Sequence, residues 1–449
     1  MSVDRCREST FAALLPPNAE VERVDAVAAG SSYGEGAANK GFPKDPTNLP
    51  ELCAVTVKVK SSLSSSYRFG LFLPRSADGE EDEGHSQTWN GRFLAVGNAG
   101  FAGGIHWLEM GAGARYGFAS LSTDTGHNST GTDLSWALRN PEARTDWGWR
   151  ALHGSVGLGK QLVEAYYSPS TSSSSPSTAP PVSSDVGSSS AGSVIKYSYY
   201  SGCSTGGRQG LKELQIAPGS FDGVLVGAAA WDTSHLNNWA TKVAQWNWWP
   251  GGAQKPGHVP WRLLKPLAAA VVEQCDGIDG VEDGIISAPE RCNIDFDALT
   301  CGDDQEPFDA DSESDPNAFC FTEAQIDTLK KVYGDYVSED TGELLQPGLL
   351  PGSEAQMYVV LNYSNASPYS VGYGQYFLFD DPEFGPADYN DSVVQVAAQY
   401  DPGQATADLY DLSAFRRRGG KLLMYHGMAD ALVPTRGSEL YYNRTVEAM

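Results

Sequence analysis

Basic residues are scarce in this chain: 31 Lys and Arg stand against 56 Asp and Glu in 449 residues, a formal net charge of −25. A nucleic acid or an anionic membrane surface demands clustered Lys and Arg, so the balance argues against both as partners. Long hydrophobic runs are missing too. No segment reaches the roughly eighteen consecutive apolar residues of a membrane-spanning helix. None of the seven cysteines forms a Cys-x-x-Cys pair, which removes the common zinc and dithiol redox motifs. The start, Met1-Ser2-Val3-Asp4, lacks the apolar core of a signal peptide.

What is present is ordinary globular material, 41% hydrophobic, long enough for one large α/β domain with an insertion or for two to three domains. Asn-x-Ser/Thr sequons occur at Asn128, Asn362, Asn365, Asn390 and Asn443. With the acidic balance they favour a secreted, oxidising context in which cysteines pair, the leader lying outside this chain. Cys6 with Cys53, Cys275 with Cys292, and Cys301 with Cys320 make local pairs. Cys203 is left over, which implies an absent partner or a free thiol.

The segments 53–59 and 67–73 alternate like antiparallel strands, with a charged loop at 78–84 after them. Short apolar runs at 92–96 and 118–122 are bounded by glycine and predict buried central strands. Ala151–Tyr167 carries its apolar residues on a helical period. The stretch 168–193 is almost wholly Ser, Pro, Thr, Ala and Gly, and predicts a disordered surface insertion. From Trp231 the character changes: six tryptophans crowd the segment 231–261, and an acid- and cysteine-rich stretch follows, including the acidic run 303–315. The tryptophans suit either the core of an inserted domain or the wall of an aromatic pocket. Sheet-like pattern returns at 420–425. The expected organisation is therefore an α/β core at 1–230, an inserted domain at 231–400, and a second part of the core at 401–449.

Ser204 lies in Gly202-Cys203-Ser204-Thr205-Gly206, between the apolar-aromatic run 194–200 and a glycine-rich helix start. Gly-x-Ser-x-Gly between a strand and a helix is the pattern of a nucleophile elbow, a turn so tight that small residues must flank the serine. After strand 92–96 comes Gly97-Asn98-Ala99-Gly100-Phe101-Ala102-Gly103-Gly104. In such a fold this loop supplies the second oxyanion amide, from among Gly97, Asn98, Ala99 and Gly100, the first being that of Thr205. A flexible loop or a phosphate cradle is the alternative, although the Gly-Lys-Ser/Thr of a Walker loop is missing. Late in the chain the strand 421–425 runs into His426-Gly427-Met428-Ala429-Asp430, placing Asp430 where the acid of a Ser…Asp…His order belongs. No histidine follows Asp430; the seven are His85, His106, His127, His153, His235, His258 and His426. On this reading the chain is truncated before its catalytic histidine, and His426 is a structural neighbour of the site.

The string Tyr199-Tyr200-Ser201-Gly202-Cys203-Ser204-Thr205-Gly206-Gly207-Arg208-Gln209, the loop 97–104, Ser122-Thr123-Asp124-Thr125-Gly126-His127 and the segment 427–430 together resemble the tannase/feruloyl esterase family of secreted serine esterases. The resemblance covers essentially the whole chain. It implies an α/β-hydrolase sheet with a large inserted lid, Ser204 as nucleophile and Asp430 as acid. It also implies that Cys203 pairs with a cysteine beside the catalytic histidine, in a His-Cys dipeptide this sequence does not contain. The loop Cys275–Ile285 offers the carboxylates of Asp276, Asp279 and Asp283 between glycines, suited to a hard cation or to a solvated acidic turn. The resemblance implies a structural Ca²⁺ there, held by the side chains of Asp276, Asp279 and Asp283 and the backbone oxygens of Val281 and Ile285. The implied substrates are phenolic acyl esters, feruloyl or other hydroxycinnamoyl groups on plant polysaccharide, or galloyl groups of tannins. The rival expectation is an inactive, calcium-stabilised fragment or binding protein of the same family.

Overall fold

The protein is described from a computed structural model covering residues 5–75, 88–168, 193–302 and 319–449. The charged loop 78–84, the acidic run 303–315 and, between its end residues, the Ser/Pro-rich insertion 168–193 lie outside the described residues.

Contacts divide the chain into two units. The first comprises Met1–Trp231, Pro402–Met424 and Ala448–Met449. It is built on an eight-stranded sheet: β1 (Ala19–Val27), β2 (Leu52–Lys60), β3 (Ser66–Pro74), β4 (Arg92–Val96), β5 (Ala119–Thr123), β6 (Tyr197–Cys203), β7 (Gly223–Gly227) and, late in the chain, Lys421–Tyr425. β1, β2, β3 and β5 pair antiparallel in that order, and β5, β4, β6 and β7 run parallel. The late strand closes the order next to β7. This is a mixed α/β sheet of the α/β-hydrolase kind.

The parallel strands β4, β5 and β7 are short and largely buried because helices cover them. The helix Trp107–Arg115 buries Trp107, Met110 and Ala114 in a cluster with Leu52, Ala54 and Phe72. The helix Ala151–Tyr167 buries Leu152, Val156, Leu162 and Val163 and packs on β3 and β5. β1, for which the sequence carries no clear strand pattern, is an edge strand. Its Ala-Glu-Val-Glu-Arg-Val-Asp-Ala-Val pattern is only half buried, so its hydrophobic signal is diluted by charge. β6 begins at Tyr197 rather than Val194, because the amides of Val194 and Ile195 donate to the Glu164 carboxylate instead of a neighbouring strand.

The second unit comprises Asp232–Asp401 and Tyr425–Glu447. Its helices Thr233–Asn247, Leu264–Cys275, Glu323–Tyr333 and Ser392–Tyr400 enclose a core of Trp239, Val243, Leu267, Val271, Phe321, Leu329 and Val394. A two-stranded sheet, β8 (Tyr336–Val337) with β9 (Leu344–Gln346), belongs to it. The late strand Lys421–Tyr425 is thus β10. Sequence reasoning assigned all of 401–449 to the core. Tyr425–Glu447 groups with the second unit because Ala431 is buried in that unit's core and Arg436 pairs with Asp335. Of the tryptophans, Trp239 is fully buried, whereas Trp249 and Trp261 are exposed. Disulfides join Cys6 to Cys53, Cys275 to Cys292 and Cys301 to Cys320, as the local spacing predicts.

Candidate active site

β6 ends at Cys203, and the helix Thr205–Ile216 starts at the next residue but one. Ser204 absorbs the whole change of direction, with φ 58° and ψ −123°. A serine rarely holds a positive φ, so the surrounding structure must enforce it. Three backbone bonds do so: its N–H donates to Gly227 O (2.9 Å), and its carbonyl accepts from Arg208 N (3.0 Å) and Ala230 N (3.2 Å). The turn also needs bare backbone. A Cβ on Gly202 would sit 2.6 Å from the carbonyl carbon and oxygen of Gly206. One on Gly206 would sit 2.7 Å from Asn98 O. Ser204 itself is partly exposed, and its hydroxyl does not cap the helix that follows. A hydroxyl at the tip of such a bend is free to meet an acyl group.

The closeness of Gly206 to Gly97 and Asn98 places the glycine-rich loop directly against the elbow. That loop is tied down almost residue by residue. Gly97 N donates to Ser201 O, Ala102 N to Ala99 O, Phe101 N to Gly131 O, Gly103 N to Ser129 O and Gly104 N to Asp124 O. Asn98 N donates to Gln209 Oε1 at 2.9 Å. Of the four loop amides the sequence nominated for an oxyanion, those of Gly97 and Asn98 are therefore engaged. Those of Ala99 and Gly100 have no acceptor among the described residues, and Thr205 N is the first, unbonded amide of its helix.

Beside the loop, the His106 ring stacks on Phe42 at 4.0 Å and its Nδ1 lies 3.2 Å from Gly97 O. Burial lowers its pKa, which keeps it neutral. His127 stacks on Trp136 at 3.8 Å and is held to about 3 by burial. Both are packing groups, engaged at the base of the loop.

In the second unit, Asp430 Oδ1 accepts from Leu432 N and Val433 N, each at 2.9 Å, and Oδ2 lies 3.4 Å from His426 Nε2. Burial raises this carboxyl, but His426 and the two amides outweigh it and hold it below the ordinary aspartate value. His426 is nearly buried, with Nδ1 2.8 Å from Ser438 Oγ and Nε2 2.9 Å from Val433 O. Both its nitrogens are thus occupied within its own segment.

The acidic loop of the second unit folds around its own carboxylates. Asp276 accepts from the amides of Asp283, Gly284 and Ile285, Asp279 from those of Val281 and Ser287, and Asp283 from that of Ile285. Asp276 and Asp283 share the Ile285 N–H, so their oxygens face one point. The backbone bonds from Val281 and Ser287 lower the Asp279 pKa. Among the described residues, no three acidic, histidine or cysteine side chains converge as a finished metal cage.

The family profile for tannase and feruloyl esterase matches residues 85–377. The chain is 31% identical to the probable feruloyl esterase B-1 of Aspergillus terreus over 99% of its own length and 75% of that protein's. It is 30% identical to feruloyl esterase C of Talaromyces stipitatus, covering 96% of this chain and 72% of the relative. Among solved structures, feruloyl esterase B from Aspergillus oryzae superposes with a TM-score of 0.81 at 30% identity, covering 99% of this chain and 78% of that one. The tannin acyl hydrolase of Aspergillus niger, at 18% identity and a TM-score of 0.62 over 98% of this chain and 77% of that one, shares the fold. The chain belongs to the tannase and feruloyl esterase family.

Proposed function

We propose that this protein is a carboxylic ester hydrolase acting on phenolic acyl esters through an acyl-serine intermediate. The observation that carries the reading is Ser204, partly exposed at positive φ on a strand-to-helix bend, with the glycine-rich loop packed against it. Ser204 Oγ attacks the ester carbonyl carbon, its proton passing to a base. The carbonyl oxygen becomes an oxyanion that accepts from Thr205 N and from the amides of Ala99 or Gly100. Collapse of this intermediate breaks the C–O bond, and the alcohol leaves with the proton. Water then repeats the sequence on the acyl-enzyme and releases the phenolic acid. Asp430, ionised across the neutral and mildly acidic range, is the carboxylate that orients an imidazole base. His426 is not assigned that role, because both its nitrogens are already engaged. Feruloyl and galloyl esters are both carried as substrates.

The loop Asp276–Ile285 is proposed to hold a structural Ca²⁺ through Asp276, Asp279 and Asp283 and the carbonyls of Val281 and Ile285. Its donors are hard oxygens, and two of its carboxylates already face one point. Secretion is supported by the three disulfides, and glycosylation by the exposed sequon residues Asn128, Asn390 and Asn443. A second reading, an inactive, calcium-stabilised binding protein of the same family, is favoured by one observation: both nitrogens of His426, the histidine beside Asp430, are taken up by Ser438 Oγ and Val433 O.

Turnover of methyl ferulate and methyl gallate by the protein, compared with Ser204→Ala, decides between them. The esterase reading expects turnover that falls by about a thousandfold or more in the variant. Equal rates in both proteins refute the nucleophile. Binding of ferulate without turnover in either establishes the second reading.

A further inference from the structure

Gln209 stands five residues beyond Ser204, on the helix Thr205–Ile216, and is buried. Its amide faces Asn98, the second residue of the glycine-rich loop, which is buried as well. The two make a reciprocal pair: Asn98 N donates to Gln209 Oε1 at 2.9 Å, and Gln209 Nε2 donates to Asn98 Oδ1 at 3.2 Å. The remaining donor, Asn98 Nδ2, reaches Thr123 O (2.9 Å) and Gly104 O (3.2 Å). Both amide orientations are set by these partners, since reversing either one would face donor to donor or acceptor to acceptor. One buried network thus joins the nucleophile helix, both ends of the loop 97–104 and the end of β5. The titratable groups around it include His106, on Gly97 O, Asp124, whose carbonyl accepts from Gly104 N, His127, packed against Gly103, and Tyr200, whose hydroxyl donates to Gly206 O.

We propose that Gln209 and Asn98 are positioning residues, a clamp that fixes the amides of Ala99 and Gly100 relative to Thr205 N and Ser204. The proposal rests on the esterase reading for its catalytic meaning. Neither side chain touches substrate in this account. Gln209 engages Asn98 N, so the oxyanion falls to the next amides along the chain. An oxyanion site needs donors fixed before charge develops, and a loop whose register slipped would lose that preorganisation. Apolar replacement of Gln209 leaves Asn98 N and Oδ1 buried without partners, which the loop relieves by moving.

The test compares wild type, Gln209→Leu and Gln209→Glu by amide hydrogen exchange and by kinetics on methyl ferulate. In Gln209→Leu, exchange in the segment 98–104 accelerates by roughly tenfold or more, the scale of one lost buried hydrogen bond, while that of the helix 151–167 is unchanged. kcat falls by about tenfold to a hundredfold with KM within about twofold, the pattern of an interaction felt in the transition state. In Gln209→Glu the introduced carboxyl, once protonated, supplies both a donor and an acceptor, so turnover of that variant relative to wild type recovers on acidification. Unchanged exchange in the segment 98–104 of Gln209→Leu overturns the clamp. So does equal loss of kcat in Gln209→Leu and Gln209→Glu at every pH. A wild type without turnover defeats the esterase reading alone, and the exchange measurement still decides whether the clamp exists.

Discussion

At the scale of single residues, Asp124 carries the clearest pH signature. It is buried at the end of β5, where Oδ1 accepts from Arg68 N and Gly126 N at 2.8 Å. Burial dominates these bonds and lifts its carboxyl to about 7. In the unfolded chain an aspartate titrates near 4. Between those two values the folded protein keeps a proton that the unfolded chain has released. Stability therefore falls as pH rises through that window and levels off above about 7. Asp124→Asn keeps an oxygen for the two amides and removes the titration. Its melting temperature should gain on that of wild type from about pH 4 to about pH 7, and a constant gap would show that this carboxyl titrates normally. Ser204 was legible in the sequence because glycines must flank so tight a turn. Which loop amides remain open was not, because that depends on Gln209, 111 residues from Asn98.

At the scale of elements, the elbow helix is anchored by Arg208. Its guanidinium donates to Gly148 O (2.6 Å), Ala405 O (3.0 Å) and Trp147 O (3.2 Å), and lies 4.2 Å from the Trp147 ring centroid. One buried side chain thereby ties the helix Thr205–Ile216 to the segment Asp146–Arg150 and to the chain returning at Pro402. Arg208→Leu removes the donors to three carbonyls, and a loss of about 3–5 kcal/mol is expected, read by urea unfolding. A loss below about 1 kcal/mol would mean that water replaces the guanidinium. The strands β2 to β5 and the helix Ala151–Tyr167 were readable because each buries a run of its own period. β1 and the first residues before β6 were not: edge pairing dilutes one pattern, and the Glu164 carboxylate replaces a strand partner in the other.

At the scale of the whole molecule, the second unit carries the disulfides Cys275–Cys292 and Cys301–Cys320, the first of them closing around the largely exposed acidic loop 276–285. Closing 17 residues of chain restricts the unfolded state by about 3 kcal/mol on the chain-entropy account. The carboxylates of Asp276, Asp279 and Asp283 lie inside that closed segment. Adding a chelator should lower the melting temperature by several degrees, and restoring Ca²⁺ should reverse the change. Cys292→Ser should raise the Ca²⁺ concentration needed for half-maximal protection. An unmoved melting temperature on chelation would remove the cation from this loop.

The amino-acid sequence by itself determined the strand-turn-helix around Ser204, the glycine-rich loop, the three local disulfides and the α/β class. All of these are short-range consequences of backbone space and side-chain period. Tertiary structure alone decided that the loop's amides divide into engaged and open ones. It also decided that His426 has no nitrogen to spare and that Tyr425–Glu447 groups with the second unit. Those outcomes depend on partners far along the chain, and a buried hydrogen-bonding group is committed by whatever the fold brings next to it.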